Sequence, residues 1–185
     1  MYDRKRNQGI TLLELLFTVA IVGIVLATAV PSFETVVVNN QIKAKSEELF
    51  RFVRLAKYEA VKRNKKVEVY YDDKTSPGYY CLGMRGVGEN TTCDNKTHTY
   101  SLFKINDDIK FKVKTVDGQG TVADISNGAL FSFSPQTGKS STNKRVLFQS
   151  NSDTKVISGI RVTNIGLVNP CSDQAWGGKM LCTSG

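Results

Sequence analysis

Residues Ile10 to Val30 read ITLLELLFTVAIVGIVLATAV, an apolar run of 21 residues interrupted by a single charge, Glu14. At about 1.5 Å per residue a helix of this length is roughly 30 Å long, the thickness of a bilayer's hydrocarbon core. The run therefore predicts a membrane-spanning helix. Arg4, Lys5 and Arg6 precede it, and a basic cluster stays on the cytoplasmic side, which sends the chain after Val30 across the membrane. A cleavable secretory signal is the competing reading, because Ala27-Thr28-Ala29 supplies small residues behind an apolar stretch. Glu14 speaks against it, since a carboxylate near the start of such a run costs several kcal/mol in lipid and is rarely kept without a partner. A cut between Gly9 and Ile10 creates an amino group about one helical turn before Glu14. The amino terminus of a neighbouring copy could then neutralise Glu14 within a helical bundle, where a low dielectric strengthens the pair.

Gly9-Ile10-Thr11-Leu12-Leu13-Glu14, with the apolar run and Pro31 behind it, resembles the type III signal of type IV pilins and type II secretion pseudopilins. The resemblance implies that a prepilin peptidase removes residues 1–9 as a leader, cutting between Gly9 and Ile10, and that the new terminus of Ile10 is methylated. It also implies an assembly role for Glu14, fifth from Ile10, and for Pro31, twenty-second. Ile10 departs from the family, which usually has phenylalanine or methionine there.

Beyond Pro31 the pattern becomes amphipathic. Ile42, Leu49, Phe52, Val53, Ala56 and Ala60 recur at three- and four-residue steps, with Lys43, Lys45, Glu47, Arg51, Arg54 and Lys62 on other faces. One helix is expected from about Ile10 to Arg63, loosened but not ended by Pro31. Residues 10–31 form its membrane or filament-core half and 32–64 its amphipathic half. Arg51, Arg54 and Lys62 are read as a solvated face rather than a docking stripe. From residue 65 to 185 the signals are those of strands. Alternating segments at 66–71, 79–84, 99–105, 109–116, 129–134, 145–150 and 155–163 are separated by Ser76-Pro77-Gly78, Asp117-Gly118-Gln119-Gly120, Asn127-Gly128 and Thr137-Gly138. A helix with one apolar stripe and a sheet with one apolar face bury each other. The fold class is therefore α+β: a long N-terminal helix packed on an antiparallel β-sheet in one globular domain.

Cys81, Cys93, Cys171 and Cys182 lack the spacing of a zinc or redox site. They read as two disulfides, which places the domain in an oxidising compartment such as the periplasm. Three pairings are open to four cysteines, and the local one, Cys81 with Cys93 and Cys171 with Cys182, is the expectation. The second loop holds Trp176, read as packing back on the sheet.

Phe131-Ser132-Phe133-Ser134-Pro135-Gln136-Thr137-Gly138, followed by a strand and by Ile160 to Gly166, resembles the GspH/FimT/FimU branch of pilin-like proteins, in which a Phe-x-Pro-x-x-Gly turn precedes the last strands. The branch implies other pilins, a prepilin peptidase and the inner membrane as partners, with the assembled pilus at the cell surface. It also implies the C-terminal disulfide loop of many pilins. Its members fill three roles: a structural minor pilin that primes or caps a type IV pilus, a minor pseudopilin of a type II secretion system, and a DNA-binding pilin serving transformation. The first is the expected one. DNA-binding members carry a Gly-Arg-x-Arg motif where this chain has Gly166-Leu167-Val168-Asn169, and phosphate contacts supply most nonspecific DNA affinity. The net charge is +8, or +6 without the leader, so a weak DNA or partner surface is left to Lys139, Lys144, Arg145, Lys155, Arg161 and Lys179. Nothing points to an enzyme. His98 stands alone beside a loop, no set of residues has metal-ligand spacing, and there is no phosphate-cradling glycine loop, so no cofactor is expected. Asn90-Thr91-Thr92 and Asn95-Lys96-Thr97 match the glycosylation pattern that arises often by chance.

Overall fold

The computed structural model describes residues 10–73, 79–89, 92, 100–106, 111–151, 157–173 and 181–182, with the backbone alone at 28–32 and 79. One helix, α1 (Leu12–Arg63), is followed by nine strands: β1 (Val67–Asp72), β2 (Tyr79–Gly86), β3 (Ser101–Asn106), β4 (Phe111–Val116), β5 (Val122–Asp124), β6 (Gly128–Phe133), β7 (Lys144–Ser150), β8 (Ile157–Val162) and β9 (Val168–Ser172). The chain divides into two compact units, residues 1–37 and 38–185. In the first, every described side chain from Ile10 to Ala27 and from Phe33 to Val37 is exposed.

In the second unit α1 carries a dry stripe. Val38, Ile42, Leu49, Val53, Ala56 and Ala60 are all buried, the three- and four-residue spacing of one helix face. Ser46 lies in the same stripe, and its buried hydroxyl donates to the Gly159 carbonyl at 3.2 Å, so the polar atom is satisfied by β8. The helix ends at Asn64, whose φ of 49° turns the chain left-handed while the Lys65 amide reaches back to the Ala60 carbonyl at 3.2 Å.

Two antiparallel sheets cover the stripe, one in the order β3-β2-β1-β6, the other β5-β4-β7-β8-β9. Alternation sorts their side chains. Val67, Val69 and Tyr71 of β1, Leu82 and Met84 of β2, and Phe103 and Ile105 of β3 join the helix residues in one core. Phe111, Val113, Val146, Phe148, Ile160 and Val162 of the second sheet complete it. Phe148 links the layers, with ring centroids 6.3 Å from Phe103 and 5.2 Å from Phe111, and Phe103 in turn meets Phe52 of α1 at 5.9 Å.

Where the described residues overlap the expected strands, the strands are present, and the α+β architecture stands. The sheet is two sheets. β5 and β9 are additions, each for a reason. β5 has only three residues, all exposed, and so no alternating pattern. β9 contains Pro170, which argues against a strand except at an edge, where β9 lies.

Candidate functional site

Thr11 opens the helix. Its hydroxyl accepts the Glu14 amide at 3.3 Å and its carbonyl accepts the Leu15 amide at 3.1 Å. Thr-x-x-Glu is the capping-box spacing, and a carboxylate in the first turn faces the positive end of the helix dipole. The capping bond uses the Glu14 backbone amide, so the helix start is set by the Thr11 hydroxyl. Ile10 is 75% exposed and the apolar side chains that follow it, from Leu12 to Leu26, are exposed as well. The Thr18 hydroxyl donates to the Leu15 carbonyl at 2.8 Å, which satisfies it within the helix. Among the described residues no helix is long and apolar enough to cross a membrane; here the described side chains stop at Ala27, short of the run's end at Val30. The helical backbone continues through position 31, and Gly9 lies outside the described residues.

The Phe-x-Pro-x-x-Gly segment folds as a turn after β6, closed by the Gly138 amide on the Ser134 carbonyl at 2.9 Å. A second turn after β8 is closed by the Gly166 amide on the Thr163 carbonyl at 2.8 Å. Both glycines have positive φ, 61° and 78°, and they touch: a Cβ on Gly166 would stand 1.8 Å from the Gly138 carbonyl oxygen. Lys57 of α1 ties them down, its ammonium donating to the Gly166 carbonyl at 2.9 Å. Sequence reading identified both glycines as motif members. It missed Lys57, which looks like any other basic residue on a polar helix face.

The expected basic surface is not laid out as one exposed patch. Arg145 is only 5% exposed, lies directly across from Arg161 on β8, and donates through Nη1 to the Cys182 carbonyl at 2.8 Å. Burial, and then the charge of Arg161, hold its guanidinium below the ordinary value, with Asp173 acting in the opposite sense. The Asp173 carboxylate also accepts the Cys182 amide at 2.8 Å. Lys144 begins β7 opposite Val162 and is half-buried; Arg161 is half-buried too, while Lys139 is exposed. Lys155 and Lys179, like Trp176, His98 and the two Asn-x-Thr asparagines, lie outside the described residues.

Cys171 and Cys182 form a disulfide with Cα atoms 4.9 Å apart. Cys81 is also disulfide-bonded, and its expected partner Cys93 lies outside the described residues. No group of residues suited to holding a metal ion occurs among those described.

Residues 4–30 match the family model of the prokaryotic N-terminal methylation motif, and residues 45–166 match that of the type II transport protein GspH. Two crystal structures of the type IV minor pilin FimU from Pseudomonas aeruginosa (strain PAO1) share the fold. The one in space group P21 is 13% identical with a TM-score of 0.53, covering 76% of this chain and 95% of FimU. The one in P65 is 14% identical with a TM-score of 0.50, covering 74% and 98%. No curated protein matches the chain.

Proposed function

This chain belongs to the GspH family of type II transport proteins and carries the prokaryotic N-terminal methylation motif, and on that premise we propose that it is a structural minor pilin built into a type IV pilus, where it primes or caps assembly. The family is one of pilus and pseudopilus subunits, not of enzymes. The observation that carries the reading is the first unit of the chain: a capped helix, apolar and exposed from Leu12 to Leu26, with Glu14 in its first turn and Gly9-Ile10 before it in the sequence. Such a surface needs lipid before assembly and helix partners after it. In this reading the mature chain starts at a methylated Ile10, spans the inner membrane once and holds its disulfide-bonded domain in the periplasm. Extraction into a filament then exchanges lipid contacts for helix contacts, with Glu14 setting the register and Pro31 inside the assembled helix bundle.

A minor pseudopilin of a type II secretion system is the second reading, favoured by the family model over residues 45–166. Mass spectrometry of sheared surface filaments separates the two. A methylated Ile10 terminus in the pilus fraction supports the pilin. A processed chain that is absent from pili and travels with a secretion complex supports the pseudopilin, and an uncut Met1 terminus sinks both. Glu14→Gln keeps a residue able to complete the capping box while removing the charge. It should leave membrane insertion intact and deplete the protein from filaments, and wild-type incorporation would refute a register role for Glu14.

A further inference from the structure

The tip of the β8–β9 hairpin is braced from within and from outside. The Thr163 amide donates to the Leu167 carbonyl at 3.0 Å and the Leu167 amide to the Thr163 hydroxyl at 3.2 Å, closing the hairpin around the Gly166 turn. From outside, the Ser140 amide donates to the Asn164 carbonyl at 3.1 Å, while Lys57 and Gly138 pin Gly166. Gly166 is buried, yet its two neighbours are not: Ile165 is 62% and Leu167 51% exposed. Turn positions usually go to Gly, Pro, Asn, Asp or Ser. The fold gives no reason for two large aliphatics here, since neither belongs to a hydrophobic core. One helical turn after Lys57, on the same flank of α1, Val61 is exposed too. The charge around them is one-sided. Residues 49–58, 129–150 and 157–172, which build the tip and its braces, contain no Asp or Glu. Arg54, one turn before Lys57, and Lys139, whose Cα lies 3.3 Å from a Cβ built on Gly166, are both exposed. The nearest acid along α1, Glu59, is held by Arg63 at 2.6 Å and Lys62 at 3.7 Å.

We propose that this tip is a docking prong for another subunit of the same filament, whose matching surface is an apolar groove edged by carboxylates. Each feature of that partner answers one feature of the prong. Neighbouring exposed apolar side chains mark protein contact sites, and Ile165, Leu167 and Val61 call for an apolar wall. Arg54 and Lys139 select an acidic edge, and such charge matching sets partner choice and register more than affinity. The bracing of the tip favours docking, because a surface already fixed loses little freedom when it is bound. Lys57 lies about 28 Å along α1 from Val38, so the prong stands at the end of the domain away from its first residues, where a subunit displaced along the helix direction is met. DNA is the poorer fit. Its phosphates are gripped by cations and hydrogen-bond donors, whereas the foremost side chains of the prong are aliphatic, and Leu167 and Asn169 stand where DNA-binding members carry arginines. The proposal rests on the reading of the chain as a filament subunit and holds for pilus and secretion filament alike.

The full-length chain, expressed in its own host in place of the native copy, tests it in two ways: a benzophenone amino acid replaces Ile165 for photocrosslinking, and tip variants are quantified in isolated filaments. Light should join position 165 to one pilin-like subunit, at a peptide that carries apolar residues together with Asp or Glu. Leu167→Asp should lower incorporation at least about tenfold, because an unpaired carboxylate then enters an apolar contact. Ile165→Asp should do the same, and both should keep the wild-type melting midpoint and the methylated Ile10 terminus. Lys139→Glu should lower incorporation about threefold, regained when lysine replaces the acidic residue of the crosslinked peptide. Val122→Asp, at an equally exposed apolar position on β5, should change nothing. Wild-type incorporation of both tip variants, an equal loss in Val122→Asp, or a crosslink to a peptide without acidic residues would overturn the proposal. Loss of duplex-DNA binding in the tip variants with incorporation unchanged would also overturn it, in favour of a nucleic-acid ligand. A failure of the subunit reading looks different: the wild-type chain itself is then uncut and outside every filament, and the proposal falls with it.

Discussion

Residues 12–27 and residues 38–63 belong to one helix yet obey different rules. In the first stretch leucines, isoleucines and valines are 54–78% exposed; in the second, Ile42, Leu49, Val53, Ala56 and Ala60 are at 0%. The first has apolar residues on all sides and buries none; the second buries one stripe, with Leu55, Tyr58 and Val61 left exposed off it. An all-round apolar helix matches an environment that surrounds it, whereas a one-sided stripe matches a single partner surface. Apolar content alone would rank the first stretch as the better core former. The comparison shows instead that the distribution of apolar residues decides what the chain can bury by itself.

Four substitutions sharpen or break this contrast. Phe148→Ala opens a hole where helix and both sheets meet, and should cost about 4 kcal/mol, read as a lower denaturation midpoint of the domain. Gly166→Ala forces a side chain against the Gly138 carbonyl at a positive φ and should cost about 3 kcal/mol; a wild-type midpoint would show that the two turns do not need their contact. Replacing Cys171 and Cys182 together by serine should remove about 2 to 3 kcal/mol through the denatured chain, and unchanged melting under oxidising conditions would count against that role. Leu16→Ala, by contrast, should move the domain's midpoint by less than about 0.5 kcal/mol. A larger shift would mean that the domain draws stability from the first stretch, and the contrast would fail.

The same distinction sets how much of the molecule was legible beforehand. The stripe from Ile42 to Ala60 and the strands with inward Val, Phe and Ile were readable because burial repeats with the period of the element. β9 was hidden by Pro170, and β5 by having no inward side chain at all. The division into two sheets was hidden because pairing partners are chosen by tertiary contact, not by local pattern. At the candidate site Glu14 was singled out by its cost in lipid, but its capping bond with Thr11 emerges only from the backbone geometry. Arg145 read as a surface cation because composition carries no depth. Its neighbours across the strand, and the chain end it holds, come from far along the sequence.

The hydroxyl of Ser46 and the ammonium of Lys57 reach carbonyls 113 and 109 residues later in the chain. Synthesis runs from the N-terminus at about 5–20 residues per second, so the stripe of α1 emerges first while β7 and β8, which cover much of it, emerge near the end. Contacts of such long sequence separation are also the slow ones to form. Strands β1 to β3 can cover part of the stripe as soon as they emerge, but the part that β7 and β8 cover is closed only seconds later, near the end of synthesis.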